Sequence, residues 1–518
     1  MSREFNVTGP CIPKKNYMVN TNEKLKKIVE MINDEQYFVI NLPRQYGKTT
    51  TLYCLKQLLK DEYIVISISF MMLGIDGSKG EKSFCLNFME LVKESLEHSN
   101  VSDEYREAWF NEDVTGFLKL GFHIDNMCKD KKVVLLVDSV DYCMGNIAFL
   151  EFLSMLRAKF LRRQMKESYT FHSVIFAGVN NIKYIKLNEE DYNSRSPWNI
   201  ASDFNVDMSF NSKEIESMLK DYQSETNVNM DTELISNKIY EYTSGYPYFV
   251  SDICKTIDEK LDRDWSVAGI LKAVKIIAFD STYLTHELCT YLEIYKELYD
   301  FMYSILINGR YESFDWANPN VDFCTTYGYV KKGKDRNRTV VSNKIFEISL
   351  CRYFVSKYQT NWDIDNKIHS PYVPSEDVLK DNLFSMELVL SKFAECYEEI
   401  IDEVDFSFME KYGKMMFFSY LTPLIYCLGF YHIESQFTGY RQMVLSIDFG
   451  MEQYVMGLEL WKDEIDKERA YERFLGYMDT LKAEKGYLLI FDFRKRKKKE
   501  QETKWIQIGD KKIYSILV

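Results

Sequence analysis

Between residue 37 and about residue 210, short β-branched and aromatic runs alternate with longer segments of helical periodicity. That alternation is the pattern of βαβ units, which puts a mainly parallel sheet at the centre of an α/β domain. It predicts strands over 37–41, 63–70, 132–138, 173–179 and 206–210. The run Val133-Val134-Leu135-Leu136-Val137 is apolar at every position, as a strand buried on both faces requires. From 212 to about 265 the spacing of Ile215, Met218 and Leu219, then of Leu234, Ile235 and Ile239, is helical, with Gly245-Tyr246-Pro247 as punctuation. This stretch predicts a small helical lid.

Between about 290 and 358 a helical stretch leads into Tyr327-Gly328-Tyr329-Val330, a charged turn at 331–338 and Thr339-Val340-Val341-Ser342. Strand, basic turn and strand after a helix read either as a winged-helix-like module or as an ordinary hairpin in a connector. The polar stretch 360–378, with Pro371 and Pro374, marks a boundary. Beyond it the pattern predicts helices near 378–400 and 407–429, a strand at 430–436, a hairpin at 442–460 turning near Gly450, a helix at 465–483 and a strand at 486–493. The expected organisation is an α/β domain over 1–211, a helical lid over 212–285, a connector over 286–377 and a second α/β domain over 378–518. Four domains suit a chain of 518 residues at about 150 residues each.

Composition narrows the function. The formal net charge of -13 excludes a protein-wide positive field that would collect nucleic acid. The basic run Arg494-Lys495-Arg496-Lys497-Lys498-Lys499 is a local exception, readable as a solvated loop or as a contact. Aromatic residues, at 15%, read as filling large cores. Eleven cysteines are scattered singly, with no C-x-x-C pair, so neither a disulfide framework nor a structural zinc site is expected and a reducing, cytoplasmic setting is. No apolar stretch approaches the ~18 residues of a membrane span, and the first residues lack the apolar core of a signal peptide.

The strand ending at Asn41 runs into Leu42-Pro43-Arg44-Gln45-Tyr46-Gly47-Lys48-Thr49-Thr50 and then a helical run, which is the context of a phosphate-binding loop. Backbone N–H groups at the helix start favour phosphate oxygens, Lys48 adds a charge for the outer phosphates, and the Thr49 hydroxyl can ligate Mg²⁺. The G-x-x-x-x-G-K-[ST] pattern would place its first glycine at position 42, where this chain has leucine. Asp138, at the end of an apolar strand, stands where the Mg²⁺-associated carboxylate of a P-loop enzyme belongs. The expected ligand is therefore ATP with Mg²⁺, held by Arg44, Gln45, Tyr46, Gly47, Lys48, Thr49, Thr50 and Asp138. Residue 139 is Ser, whose hydroxyl is no general base near pH 7, and Asp141 is the alternative candidate. Asn180 and Asn181 read either as a γ-phosphate sensor or as a strand-end turn.

Together with Ala177-Gly178-Val179, Ser196-Pro197-Trp198-Asn199-Ile200-Ala201, Tyr242-Thr243-Ser244-Gly245-Tyr246-Pro247, Asn343-Lys344-Ile345-Phe346-Glu347 and Gly486-Tyr487-Leu488-Leu489-Ile490-Phe491, these stretches resemble a family spread over nearly the whole chain. It is that of bacterial AAA-ATPase-like proteins joining an N-terminal P-loop domain to a C-terminal PD-(D/E)XK nuclease domain. The resemblance implies a restriction-endonuclease-like fold over the last ~140 residues. Nuclease chemistry of that type needs an acid on one hairpin strand and E-x-K on the next, because side chains two apart share a strand face. Glu434, Gln436, Asp448 and Trp461 set the register against the family pattern. On it the metal Asp falls on Val444, the Glu on Gly457, the Lys on Glu459, and a helix glutamine on Arg473. A displaced set of Asp448, Glu459 and Lys462 is the one rescue, and its three-residue spacing puts Glu459 and Lys462 on opposite faces unless a bulge intervenes.

The leading expectation is an ATP-binding AAA/STAND-like protein with weak or no ATP hydrolysis and a degenerate nuclease-like domain kept as a binding or structural module. One alternative is an ATP-regulated, metal-dependent DNA endonuclease using Asp448, Glu459 and Lys462. Another is a nucleic-acid-binding protein with a vestigial P-loop, its contacts made by the 331–338 turn or the 494–499 run. The sequence leaves the partner open between nucleic acid and protein.

Overall fold

The computed structural model describes residues 3–518 apart from 75–79, 98, 183–196, 281, 334–336, 366–378, 381–382, 402–405, 426–428, 435–441, 450–451, 462–463 and 494–502. The chain forms two compact units, the first comprising 1–227, 245–255 and 326–328, the second 228–244, 256–325 and 329–518. No helix among the described residues is long and apolar enough to cross a membrane.

The first unit is built on four parallel strands, β1 (Tyr37–Asn41), β2 (Ile64–Ser69), β3 (Val133–Asp138) and β4 (Ser173–Gly178), in the order β1-β4-β3-β2. Alternation along each strand feeds two cores. Tyr37, Val39, Val133, Leu135, Val137, Val174 and Phe176 face the core shared with helices Glu81–Ser95, Phe117–Cys128 and Ile147–Gln164. Phe38, Ile40, Val134, Leu136, Ile175 and Ala177 face the core shared with helices Asn22–Asn33 and Lys48–Leu59. A sheet covered on both faces needs strands that are apolar throughout, and a buried side chain of this size contributes about 1.5–3 kcal/mol.

Four of the five expected strands form. The exception is 206–210, which forms no strand; the isolated bridge to β1 comes earlier, from Ser202 to Phe38. The backbone finds other partners there: the Asp207 carboxylate accepts from the Ser209 N–H at 2.9 Å, and the Phe210 N–H donates to the Gly245 carbonyl at 2.8 Å. Those bonds close a turn where a ladder was expected.

In the second unit the hairpin of β5 (Val330–Lys332) and β6 (Thr339–Val341) precedes helix Lys344–Asp365, which packs on the strand Gly429–Ile433. A short pair, β7 (Leu379–Lys380) and β8 (Leu383–Phe384), leads to helices Met386–Ile401 and Phe406–Ile425. Six strands then make a mixed sheet: β9 (Gly429–Ile433), β10 (Gln442–Phe449), β11 (Glu452–Trp461), β12 (Lys485–Asp492), β13 (Thr503–Ile508) and β14 (Lys511–Leu517), in the order β13-β14-β12-β11-β10-β9. Helix Glu464–Thr480 covers one face, its Ala470, Phe474 and Met478 packing with Val444, Val455, Leu488 and Ile490. The hairpin β13–β14 went unread although Gly509, at φ +61°, marks its turn. The stretch expected as a helical lid, 212–285, contains helices that fall partly in each unit, Ser212–Thr226 in the first, Thr232–Thr243 and Val267–Phe279 in the second, and Pro247–Lys260 spanning the division.

Candidate functional site

Because β4 lies between β1 and β3, the loops after β1 and β3 leave the same edge of the first sheet about 10 Å apart, at the carboxyl ends where open α/β sheets place their ligands. The loop after β1 turns through Gln45 at φ 55° and Gly47 at φ 80°, and helix Lys48–Leu59 begins directly after Gly47. Left-handed backbone at Gly47 is free of Cβ strain. The helix start therefore presents unsatisfied N–H groups toward the loop. The Lys48 ammonium folds back onto the loop, donating to the Leu42 and Pro43 carbonyls at 2.8 Å each. Burial pulls it down to about 8, against the pull of Asp141 and Asp138 in the other direction.

The Thr49 hydroxyl donates to Asp138 Oδ2 at 2.6 Å, which joins the helix start to the end of β3. The other carboxylate oxygen accepts the Ser139 N–H at 2.8 Å, with Ser139 held at φ 56°. A hydroxyl and a carboxylate so close together form a hard oxygen pair suited to Mg²⁺. Thr50 serves differently, its hydroxyl accepting the Cys11 N–H at 3.0 Å.

Asp141 is not placed as a base. Its Oδ2 accepts the Val179 N–H at 2.7 Å, and its Oδ1 accepts both the Asn180 N–H and the Asn180 side-chain amide at 3.0 Å. The carboxylate braces the end of β4, and Asn180 is tied to it, which is the strand-end reading of that residue.

Three contacts on the loop were not read from the sequence. The Tyr246 hydroxyl donates to the Arg44 carbonyl at 2.6 Å, and its ring meets Tyr46 edge-on at 4.7 Å between centroids. Gly328, at φ +77°, lies against Pro43, whose Cγ would stand 2.7 Å from a Cβ there. Asn6, Val7, Thr8 and Gly9 join Tyr46, Gly47, Pro247 and Tyr248 around a cavity of about 410 Å³ beside the loop. A glycine before a proline and a tyrosine in Gly245-Tyr246-Pro247 was the available signal for one of these, and 6–9 carried none.

In the second unit, β10 and β11 pair Val444 with Gly457 and Gln442 with Glu459. The register thus brings together the positions Val444, Gly457 and Glu459, but the space between them is apolar core. A Cβ on Gly457 would stand 2.8 Å from Leu488 Cδ1 and 2.9 Å from Phe474 Cδ2. Of the set Asp448, Glu459 and Lys462, the first two do not meet. Asp448 pairs with Gln453, six residues along β10 from Gln442, so it lies roughly 20 Å from the Glu459 pairing. Lys462 lies outside the described residues, as does the run 494–499, and residues 334–336 of the 331–338 turn do too.

Both acids have other partners. Asp448 accepts from the Tyr242 hydroxyl at 3.0 Å and Gln453 at 3.1 Å. Beside it, Glu434 accepts from His432 at 3.0 Å and Ser446 at 2.9 Å and faces the Lys344 ammonium at 3.5 Å. Burial would raise Glu434, but His432 and Lys344 outweigh it and hold the carboxyl well below the usual range. Glu459 is bonded to Arg473 at 3.1 Å.

The first unit is thus an α/β unit whose parallel sheet delivers a phosphate-loop-like turn and an acid to one edge. The solved structures to which the chain is similar include P-loop ATPases. The Walker-type ATPase PABY2304 of Pyrococcus abyssi has 11% identity and a TM-score of 0.48, over 67% of this chain and 99% of that one. Two RuvB mutants of Thermotoga maritima have 14% and 13% identity, TM-scores of 0.33 and 0.32, and cover 63% and 64% of this chain and 94% of theirs. No family model matches the chain, and no curated protein does. The likenesses fall below a TM-score of 0.5, and the strand order and loop geometry alone define the class.

Proposed function

We propose that this chain binds ATP with Mg²⁺ at Arg44–Thr50 and Asp138, hydrolyses it weakly or not at all, and carries a C-terminal nuclease-like module that has lost its catalytic set. The observation that carries the reading is the 2.6 Å bond from Thr49 to Asp138, which links helix start and acid in one oxygen pair beside the Lys48 ammonium. Thr49 and Asp138 would hold the ion, whose chemistry when bound is to neutralise and orient the outer phosphates. Lys48 would exchange the two carbonyls it now caps for phosphate oxygens, a stronger charge-assisted pairing. The cavity lined by Asn6–Gly9 and Tyr248 offers the room beside the loop for the nucleoside.

Weak turnover follows from what surrounds the reacting position. Ser139 lacks an activating base, and Asp141 spends both oxygens on the end of β4. Loss of nuclease chemistry follows from Val444 and Gly457, neither of which can ligate a metal, in a space filled by Phe474 and Leu488. The test is ATP affinity of the full chain with and without Lys48→Ala, followed by phosphate release on the same samples. Tenfold or greater loss of affinity in the variant, with release no faster than buffer, is the expected result; equal affinity in both proteins would sink the proposal.

A further inference from the structure

Helix Ile147–Gln164 of the first unit carries apolar residues on its outer face as well as its inner one. Inward, Phe149, Phe152, Leu153 and Leu156 are buried in the core. Outward, Ile147, Glu151, Ser154, Ala158, Leu161 and Met165 follow at alternating steps of four and three residues, and all six are exposed. That spacing is the seam of two packed helices, and a helix apolar on both faces is one that something covers. The surface continues onto helix Phe117–Cys128, where Leu118, Gly121, Phe122 and Asp125 fall on one stripe. A Cβ on Gly121 would stand 3.6 Å from Met155 and 3.7 Å from Lys159, and Asp125 pairs with Lys159, so this stripe borders the seam. The large apolar side chains of the combined face run from 43% exposed at Leu161 to 75% at Leu118, and a contiguous patch of this kind marks an interaction surface.

Charge identifies the occupant. Glu151 puts a carboxylate in the seam, so whatever covers it must bring a cation to that point. Arg162 borders the same seam directly after Leu161, half exposed and 3.9 Å from Glu167. Set antiparallel to a second copy of itself about Leu156, the helix brings Ile147 against Met165 and Ser154 against Ala158 of the other copy. The same alignment places Glu151 within about 1.5 Å, along the axis, of the level of Arg162 in the other copy. A parallel alignment would face Glu151 with Glu151, a like-charge contact. We propose that this chain self-associates through helix Ile147–Gln164, packed antiparallel about a twofold axis, with two reciprocal Glu151–Arg162 ion pairs between the copies and Leu118 and Phe122 on the flank. A twofold contact of this kind uses the same patch on both copies, which is the self-complementarity the seam shows. Ser154 and Ala158, both small, let the helices approach at the centre. The inference is independent of the ATP reading, since no residue is shared.

The test is analytical ultracentrifugation of the full-length chain. The wild type is expected to sediment as a dimer, and Leu161→Glu should weaken the dimer at least tenfold. Glu151→Arg and Arg162→Glu should each weaken it by a similar factor, because each sets like charges in both reciprocal pairs. Mixed in equal amounts, those two variants should regain the wild-type affinity, since the mixed dimer has opposite charges at both pairs. That recovery also shows that both variants fold. A wild-type chain that stays monomeric at about 100 μM, a dissociation constant weaker than ~10⁻⁴ M, overturns the proposal. So does a dimer that Leu161→Glu or either charge reversal leaves intact, which would place the contact on another face, or one that the mixture fails to restore, which would exclude the antiparallel order.

Discussion

Replacing Gly457 by alanine tests whether the centre of the C-terminal sheet is core or an empty catalytic cleft. The new Cβ would stand 2.8 Å from Leu488 Cδ1 and 2.9 and 3.1 Å from the Phe474 ring, with both neighbours fully buried. Leu488 can turn its methyl aside at modest cost, but the Phe474 ring is fixed between β11 and its helix. Overpacking of this kind costs about 1–3 kcal/mol. Phe474→Leu alone should also destabilise, by loss of buried surface, yet it opens the space the alanine needs. The two substitutions should therefore couple, the double variant being at least about 1 kcal/mol more stable than the sum of the singles. Amide exchange of peptides spanning 452–461, measured by mass spectrometry on the full chain, reads the local opening free energy. A Gly457→Ala protein with unchanged protection, or additive effects in the double variant, would refute the packing argument and reopen the cleft reading.

Three further outcomes follow from the two units. Lys48 is lowered to about 8 by burial, and the triphosphate needs it charged, so ATP affinity should be level below about pH 7 and fall by up to tenfold per unit above pH 8. Lys48→Arg should flatten that profile, and a wild-type profile level to pH 9.5 contradicts the assignment. Tyr242→Phe removes a buried bond to a carboxylate and should lower the opening free energy of β10 by about 1.5–3 kcal/mol in exchange experiments, whereas no change means Asp448 is satisfied without it. Glu434 is held below the usual carboxylate range, so its contribution is present above about pH 4.3 and lost as pH falls further. The stability gap between wild type and Glu434→Gln should accordingly narrow in acid; a gap that widens contradicts the ion-pair account.

The first unit was legible where one local pattern decided the outcome. Val133–Val137 announces a strand buried on both faces, and a strand, Gly47-Lys48-Thr49 and a helix announce an anion-holding turn. The strand expected at 206–210 failed because Val206 and Phe210 satisfy a strand pattern while Asp207 and Ser209 close a turn on themselves. Asp141 was readable as an acid near the loop, but not as a brace, because its partners Val179 and Asn180 are 38 and 39 residues away. Tyr246 and Gly328 reach the loop from still further along the chain.

By itself the sequence determined the four strands of the first sheet and that the loop after β1 carries Gly47, Lys48 and Thr49. Those are properties of residue type and spacing, set by the two-residue period of a strand and the backbone freedom of glycine. Only the tertiary structure decided that Thr49 meets Asp138, that Asp141 is engaged at β4, and that Asp448 and Glu459 stand too far apart to share an ion. Each depends on strand order and register, which are set by long-range burial and hydrogen bonding that no local window contains.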